Sequence, residues 1–409
     1  MKVLVFSQYF WPENFLINDL AKGLVDNGHQ VEVLTGKPNY PYGIKFEGYE
    51  SFGCQSETYE SIYIHRVPVL SRRTGRLRLA LNYISFMISG LIFSPFLLRR
   101  RKFDVIFVYG LSPILQVIPA IFLSWLKRTP IVLSVQDLWP DSLLASKYIK
   151  NRLVLKLIKY VVKFIYSNVD LILVQSEAFL NPVKSQSGGT PVKYYPNSVG
   201  HSFAKPNQNF SGHMPGTNDG FSIMFAGNIG SAQATETIIE AATLLKEYTD
   251  IHFLILGDGS RRDWLIQEQS VRGLSNIHLP GRFPPDMMPG LMKKASVLLA
   301  TLTDYEIFAA TVPSKIQSYM AAGRPILACL NGEGARLVTE ANAGIAAPAE
   351  DSKALADSVL KLYEMPAPEL ERLGANGAMY FKEHFDHDKL MFDLVEHLQT
   401  VLKNEARIS

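Results

Sequence analysis

Short runs of Val, Ile and Leu recur along the first half of the chain: KVLVFS, QVEVLT, IYIHRV, DVIFVY, PIVLSV and DLILVQ. Their near-continuous apolar character is that of strands buried on both faces, not of strands with one wet face. Segments with helical periodicity lie between most of them, among them 14–27, 112–125 and 152–167. Strand and helix in alternation predict a parallel sheet covered by helices on both sides, the doubly wound α/β class. Residues 198–219 are rich in Gly, Pro, Asn and Ser and have no apolar period, which predicts a linker. The same grammar then restarts in SIMFAG, HFLILG, NIHLPG, SVLLAT and PILAC, with a helical segment over 235–248. The expected organisation is one α/β domain over 1–197, a linker over 198–219, a second α/β domain over 220–382, and a helical segment over 383–409 that crosses back to the first domain. At 409 residues the chain is too long for one ordinary core, which agrees with two domains. Two such domains would face each other across a cleft lined by the carboxyl ends of their strands, where ligands bind.

One segment complicates this picture. Residues 79–98, LALNYISFMISGLIFSPFLL, carry no charge, and a helix of that length reaches about 30 Å, enough to cross a bilayer. Basic clusters flank it on both sides, Arg72, Arg73, Arg76 and Arg78 before it and Arg99, Arg100, Arg101 and Lys102 after it, so charge gives no orientation. Crossing would also separate the strands before and after it and cut one sheet in two. The expectation is a helix packed on the sheet with one face toward lipid.

A net charge of +3 argues against nucleic acid as a partner. Two cysteines, Cys54 and Cys329, make neither a disulfide framework nor a zinc pattern. The opening MKVLVFSQYFWPEN lacks a basic leader, an apolar stretch and a cleavage site, so the expected location is the cytoplasm.

Candidate chemistry sits at the strand ends. After the first strand comes SQYFWPENFLIND, with none of the glycines a dinucleotide-binding turn needs, which argues against a dehydrogenase. Trp11, Glu13 and Asn14 instead form a loop rim suited to an acceptor substrate, although Asn14 could equally cap the following helix. In the second domain GNIGSAQ places Gly227, Asn228 and Gly230 between strand and helix, where backbone N–H groups and a helix dipole hold phosphate. Asp137 follows PIVLSV at its carboxyl end, beside Gln136, and is a candidate for an acid–base or positioning role, with a cap or salt bridge as the competing explanation. Asp386, His387 and Asp388 imitate a metal-binding D-x-D but come after the last strand, where a cap is expected; the GDG of 257–259 and His29 look like ordinary turns.

The segment VPSKIQSYMAAGRPILA, together with GHQVEVLTGKPNYPYG, SVQDLWPDSL, YYPNSV, FAGNIGSAQ and ILGDGSRRDWL in that order, resembles glycosyltransferase family 4, of the GT-B fold. Within it, QDLWPDSL and VPSKIQSYMAAG are similar to N-acetyl-L-fucosamine transferases of O-antigen and capsule assembly. The resemblance implies transfer with retention from a nucleoside-diphosphate sugar, no obligatory metal, and a lipid-linked saccharide acceptor at the inner-membrane surface. It implies diphosphate contacts from Gly227, Asn228 and Gly230, and places Ser314 and Lys315 in the segment that contacts phosphate and ribose. Arg282, in LPGRF, is a second candidate diphosphate cation, with an ordinary surface arginine as the competing explanation. The family usually carries two glutamates eight positions apart, the second on ribose. Here those positions hold Ala310 and Ser318, leaving Glu306, Gln317 and Ser318 as the candidates near ribose and donor sugar. Where many relatives have a histidine near the reacting sugar, this chain has Gln136 and Asp137. A GT-B UDP-sugar epimerase and a non-catalytic membrane-attached scaffold are the alternatives.

Overall fold

The computed structural model describes residues 1–40, 43–44, 46–50, 52–72, 75–145, 151–199, 214, 217 and 220–405. The chain divides into two compact units, Met1–Pro196 with Asp388–Ser409, and Asn197–His387. Most of the linker expected over 198–219 lies outside the described residues.

The first unit holds strands β1 (Lys2–Phe6), β2 (Gln30–Gly36), β3 (Gln55–Tyr59), β4 (Ile62–Val67), β5 (Val105–Gly110), β6 (Ile131–Val135), β7 (Leu171–Val174) and β8 (Val192–Tyr194). They form one sheet in the order β3-β4-β2-β1-β5-β6-β7-β8, parallel throughout except where β3 pairs antiparallel with β4. Its helices are α1 (Leu16–Asp26), α2 (Arg76–Leu97), α3 (Val117–Lys127), α4 (Asp141–Ala145), α5 (Arg152–Tyr166) and α6 (Leu180–Lys184). The second unit holds β9 (Phe221–Ala226), β10 (Ile251–Leu256), β11 (Ile277–Gly281), β12 (Val297–Thr301), β13 (Ile326–Cys329) and β14 (Gly344–Ala347). Their order is β11-β10-β9-β12-β13-β14, all parallel. Its helices are α7 (Thr235–Leu244), α8 (Arg262–Arg272), α9 (Met288–Lys294), α10 (Glu306–Ala310), α11 (Ser314–Ala322), α12 (Glu333–Glu340), α13 (Ser352–Tyr363) and α14 (Ala367–His384). The last helix, α15 (His387–Glu405), returns to the first unit. Each of the apolar runs seen in the sequence is a strand, and both units are doubly wound. Three strands were not anticipated: β3 is polar and half-exposed, while β8 and β14 are short, at three and four residues, and form no run of Val, Ile and Leu.

The two faces of the first sheet are covered differently. On one, Ile17, Leu20, Ala21 and Leu24 of α1 share a core with Leu390, Leu394 and Leu398 of α15, and the buried Tyr195 hydroxyl donates to the Leu390 carbonyl at 3.1 Å. On the other, α2 packs on β4 and α3. Its inner side is Asn82, Phe86, Gly90 and Ser94, all fully buried or nearly so. Gly90 is needed there, since a Cβ would sit 3.0 Å from the Pro119 ring of α3. The helix is long and apolar enough to cross a membrane by length and composition. However, β4 before it and β5 after it lie in one sheet, which a bilayer crossing between them would forbid.

The docking of α15 can be tested by truncation. Leu394→Ala should cost about 2–5 kcal/mol, as large-to-small changes in a core do. Phe392→Ala, on the solvent side of the same helix at 69% exposure, should stay within about 0.5 kcal/mol. Urea unfolding reads both, and equal effects would mean that α15 is not seated as described.

Candidate functional site

In each sheet the strand order reverses at one point, between β1 and β5 and between β9 and β12. Connections leave such a point in opposite directions and open a crevice at the carboxyl ends of the strands. Trp11, Glu13 and Asn14 follow β1, and Gly227, Asn228 and Gly230 follow β9, at these points, while Asp137 follows β6 and Arg282 follows the edge strand β11.

In the second unit β9 is followed by Gly227, whose φ of +138° favours glycine. A side chain at that position would also put its Cβ 2.9 Å from Cε of Lys315. The turn after β10 is locked beneath it: a Cβ on Gly257, at φ +140°, would fall 1.8 Å from the Gly227 carbonyl oxygen. The GDG turn is thus part of the loop's support, not an ordinary surface turn. The Gly227 N–H donates to Leu256 O at 2.9 Å and the Ile229 N–H to Asp258 O at 2.8 Å. Among the described residues the amides of Asn228 and Gly230 donate to no protein group, which leaves two donors for a ligand anion.

Lys315 is the second residue of α11. Its ammonium lies 3.5 Å from the centroid of the Phe225 ring and donates to Oε1 of Gln233. Among the described residues no carboxylate pairs with it. Burial holds its pKa well below the usual lysine range. Gln233 is itself fixed, its carbonyl accepting from Thr301 Oγ1 at 2.5 Å, while Thr303 N–H donates to Ala232 O at 3.0 Å. Gln233 was not picked out from sequence; it is one polar residue in a short GSAQ turn with no spacing signal.

The other donor-side candidates divide. Ser318 Oγ donates to Ser314 O at 3.0 Å, leaving its lone pairs to accept a hydroxyl proton. Ser314 and Glu306 are exposed, each in the first turn of its helix. Arg282 is exposed just beyond β11 and makes no hydrogen bond or ion pair among the described residues. Gln317 is a correction. It is 1% exposed and its Nε2 donates to Asn197 O at 2.8 Å, so it secures the chain entering this unit and is not available to ribose.

In the first unit the loop after β1 is mixed: Glu13 is buried, Trp11 is half-buried and Asn14 is exposed. Glu13 is 3% exposed, and its Oε1 accepts from the Asn39 and Tyr40 amides at 2.7 Å each. Burial raises its pKa to about 7, against the pull of those two donors. Trp11 stacks on Tyr59 at 4.3 Å. Asn14 is exposed and does not cap α1, whose N-cap is Phe15. The residue that shapes the loop is Asn18, which accepts from the Trp11 amide at 3.0 Å and donates to Glu13 O at 2.7 Å. Around it runs a buried polar network: Gln8 Nε2 donates to Asn82 Oδ1 at 2.8 Å, and the Gln8 amide to Gln116 Oε1 at 2.8 Å. Arg72 belongs to this network as well. Its amide donates to Asn39 Oδ1 at 3.0 Å, and its guanidinium lies 5.0 Å from the Tyr40 ring centroid and 3.4 Å from the Tyr9 hydroxyl.

Asp137 ties two strand ends together. Its Oδ2 accepts from the Ser112 amide at 3.1 Å and the Ser112 hydroxyl at 2.7 Å, and Trp139 Nε1 donates to the same hydroxyl at 3.0 Å. Burial raises its pKa, with the Ser112 bonds opposing. Gln136 turns back along its strand, Nε2 donating to Ser134 Oγ at 2.8 Å. In the order β1-β5-β6 the loops carrying Glu13 and Asp137 are two strands apart, roughly 10 Å at ordinary strand spacing.

Residues 16–198 match the glycosyl transferase 4-like domain family, and residues 220–365 match the glycosyl transferases group 1 family. The chain belongs to glycosyltransferase family 4. The transferase is 26% identical over 338 residues to WcaI of Escherichia coli (strain K12), named as a colanic acid biosynthesis glycosyl transferase; the match covers 79% of this chain and 82% of WcaI. It is 24% identical over 300 residues to the Pseudomonas aeruginosa glycosyltransferase WbjE, covering 72% and 74%. Among solved structures it is similar to Anabaena HepE in complex with UDP, with TM-score 0.70, 16% identity, and 98% and 100% coverage. It is also similar to sucrose-phosphate synthase of Thermosynechococcus elongatus, with TM-score 0.73, 15% identity, and 98% and 99% coverage. These likenesses show the GT-B fold of the transferase.

The environment of Glu13 sets a pH dependence of stability. Its carboxyl titrates near 7 when folded and near 4.5 when unfolded, so the folded state retains a proton that the unfolded chain has lost. Stability therefore falls as pH rises across that window, by about 3 kcal/mol in all. Glu13→Gln keeps an oxygen for the two amides and removes the titration. The variant should gain on the parent as pH passes from 4.5 to 7, read by urea unfolding. A difference independent of pH would mean that Glu13 is ionised at ordinary carboxylate pH.

Proposed function

We propose that the transferase moves a sugar, with retention at C1, from a UDP-sugar to a lipid-linked saccharide at the cytoplasmic face of the inner membrane, in assembly of an O-antigen or capsule. The observation that carries this is the Lys315 ammonium, held by Gln233 and the Phe225 ring against Gly227, without a carboxylate partner among the described residues. A diphosphate fits that setting: Lys315 supplies a cation, the Asn228 and Gly230 amides supply donors, and the start of α7 adds its dipole. HepE and its bound UDP support a uridine nucleotide, and the naming of WcaI supports a surface polysaccharide. The donor is proposed as UDP-N-acetyl-L-fucosamine on the resemblance of QDLWPDSL and VPSKIQSYMAAG.

In this reading the C1–O bond to the β-phosphate breaks as positive charge develops on the sugar. The acceptor oxygen bonds to C1 from the same face, and its proton passes to the departing phosphate oxygen, giving UDP and the extended glycan. Lys315 and the loop amides stabilise the charge that grows on the diphosphate. Ser318 Oγ accepts from a ribose hydroxyl where relatives use glutamate. In the first unit Asp137 and Glu13 position the acceptor, and Arg72 offers a cation to its diphosphate. No metal takes part in this scheme.

Lys315→Ala should weaken UDP binding and lower turnover at least tenfold, about 1.4 kcal/mol. UDP binding to the parent should take up a proton and weaken as pH rises through the depressed pKa of Lys315, because the cation binds the anion; calorimetry in buffers of different ionisation enthalpy measures this. Turnover should persist in EDTA, and NMR of the product should show the anomeric configuration of the donor. An inverted product or loss of activity in EDTA overturns the mechanism. UDP release without acceptor favours the epimerase, and absence of UDP affinity favours the scaffold.

A further inference from the structure

One side of the first unit is built from three consecutive crossover helices that turn apolar side chains outward. On α2 the exposed residues Leu77, Leu81, Ile84, Ile88, Ile92 and Phe96 recur every three or four positions. They form a stripe opposite the buried Asn82, Phe86 and Gly90, which with Ser94 are the buried residues of the 77–97 stretch. On α3 Phe122, Trp125 and Leu126 are exposed, Trp125 at 57%. On α5 Leu153, Leu157, Tyr160 and Phe164 are exposed at the same helical spacing. The three stripes belong to one surface: α2 meets α3 where Gly90 abuts Pro119, and α3 meets α5 where Trp125 and Phe164 pack edge to face at 6.2 Å.

Charge identifies the occupant. The whole chain carries 41 Lys and Arg against 38 Asp and Glu, yet α2, α3 and α5 contain no acidic residue. Along α5 a second exposed stripe, Arg152, Lys156, Lys159 and Lys163, runs one position before the apolar one. Arg99, Arg100 and Lys102 are exposed at the end of α2. Arg101 and Lys127 are not part of it, since Arg101 pairs with Glu32 at 3.0 Å and Lys127 donates to Leu98 O and Arg101 O.

We propose that the α2–α3–α5 surface is a docking face for an anionic lipid bilayer, with its aliphatic and aromatic side chains at the acyl boundary and the α5 and Arg99–Arg100 cations among the headgroups. An interfacial helix requires an apolar stripe beside a basic one with no acids to repel the headgroups, and α5 has that pattern. Trp125 and Tyr160 supply the amphipathic rings that settle at such an interface. A second copy of the chain is the poorer occupant, because two such faces would bring basic stripes together.

The full chain is mixed with vesicles containing phosphatidylglycerol and with vesicles of phosphatidylcholine alone, then sedimented. The proposal expects binding to the anionic vesicles, release by high salt, and at least tenfold weaker partitioning for Lys156→Glu/Lys159→Glu/Lys163→Glu. Brominated lipid should quench emission from the parent, and most of that quenching should be lost in Trp125→Phe, a variant whose circular dichroism and melting confirm its fold. Equal binding to neutral vesicles, quenching unaffected by Trp125→Phe, or concentration-dependent dimers abolished by Leu157→Ser/Tyr160→Ser would each overturn it. UDP binding by the same preparation is measured in parallel: docking without UDP affinity sinks the donor chemistry and leaves this surface standing.

Discussion

Parallel pairing constrains both units of this protein. Each parallel strand must be followed by a crossover that carries the chain back, and the crossover helices cover the sheet faces. The faces are thereby covered, and ligands are left to the loops at the carboxyl ends. Strand order then decides which loops can gather a ligand, and in both units they are the ones flanking the central strand, β1 in one and β9 in the other. The close backbone approach at Gly227 and Gly257 follows from the same constraint, because adjacent parallel strands deliver adjacent turns at the same level.

The titratable groups at these ends share a feature. Glu13 and Asp137 are shifted toward the protonated form and Lys315 toward the deprotonated form, all three chiefly by burial. Each is held with hydrogen-bonding partners but without an opposite charge in hydrogen-bond contact. These three groups therefore lean toward neutrality where a substrate brings charge of its own, and an arriving diphosphate meets no carboxylate that it must displace from Lys315.

The fold class and the strands other than β3, β8 and β14 were legible because burial on both faces demands unbroken apolar runs, and such runs are rare by chance. Gly227, Asn228 and Lys315 were legible because their positions follow from strand ends and motif order. The residues that support them were not. Gln233, Asn18 and Asn39 are single polar side chains whose partners lie far off in sequence or hang on a loop's path, and no local period marks them. The inward turn of Arg72 was not legible, because a basic cluster in sequence says nothing about which member turns inward. Gln317 misled for the opposite reason, since its place near the motif suggested a ligand while its helical phase pointed it at Asn197. Asn14 satisfied the composition of a cap, but the helix starts two residues later.

The seat of α15 bears on how the protein is made. Leu390, Leu394 and Leu398 complete the core that α1 begins, yet the chain supplies them only after residues 197–387 have formed the other unit. On a ribosome adding roughly 5–20 residues per second, that interval lasts about 10–40 s. For that time the nascent first unit carries an uncovered apolar surface beside α1, and the aliphatic stripe of α2 is already exposed on its other side. Synthesis order thus leaves the early half of the polypeptide dependent on its final helix for closure, and makes it a client for whatever shields apolar surface during translation.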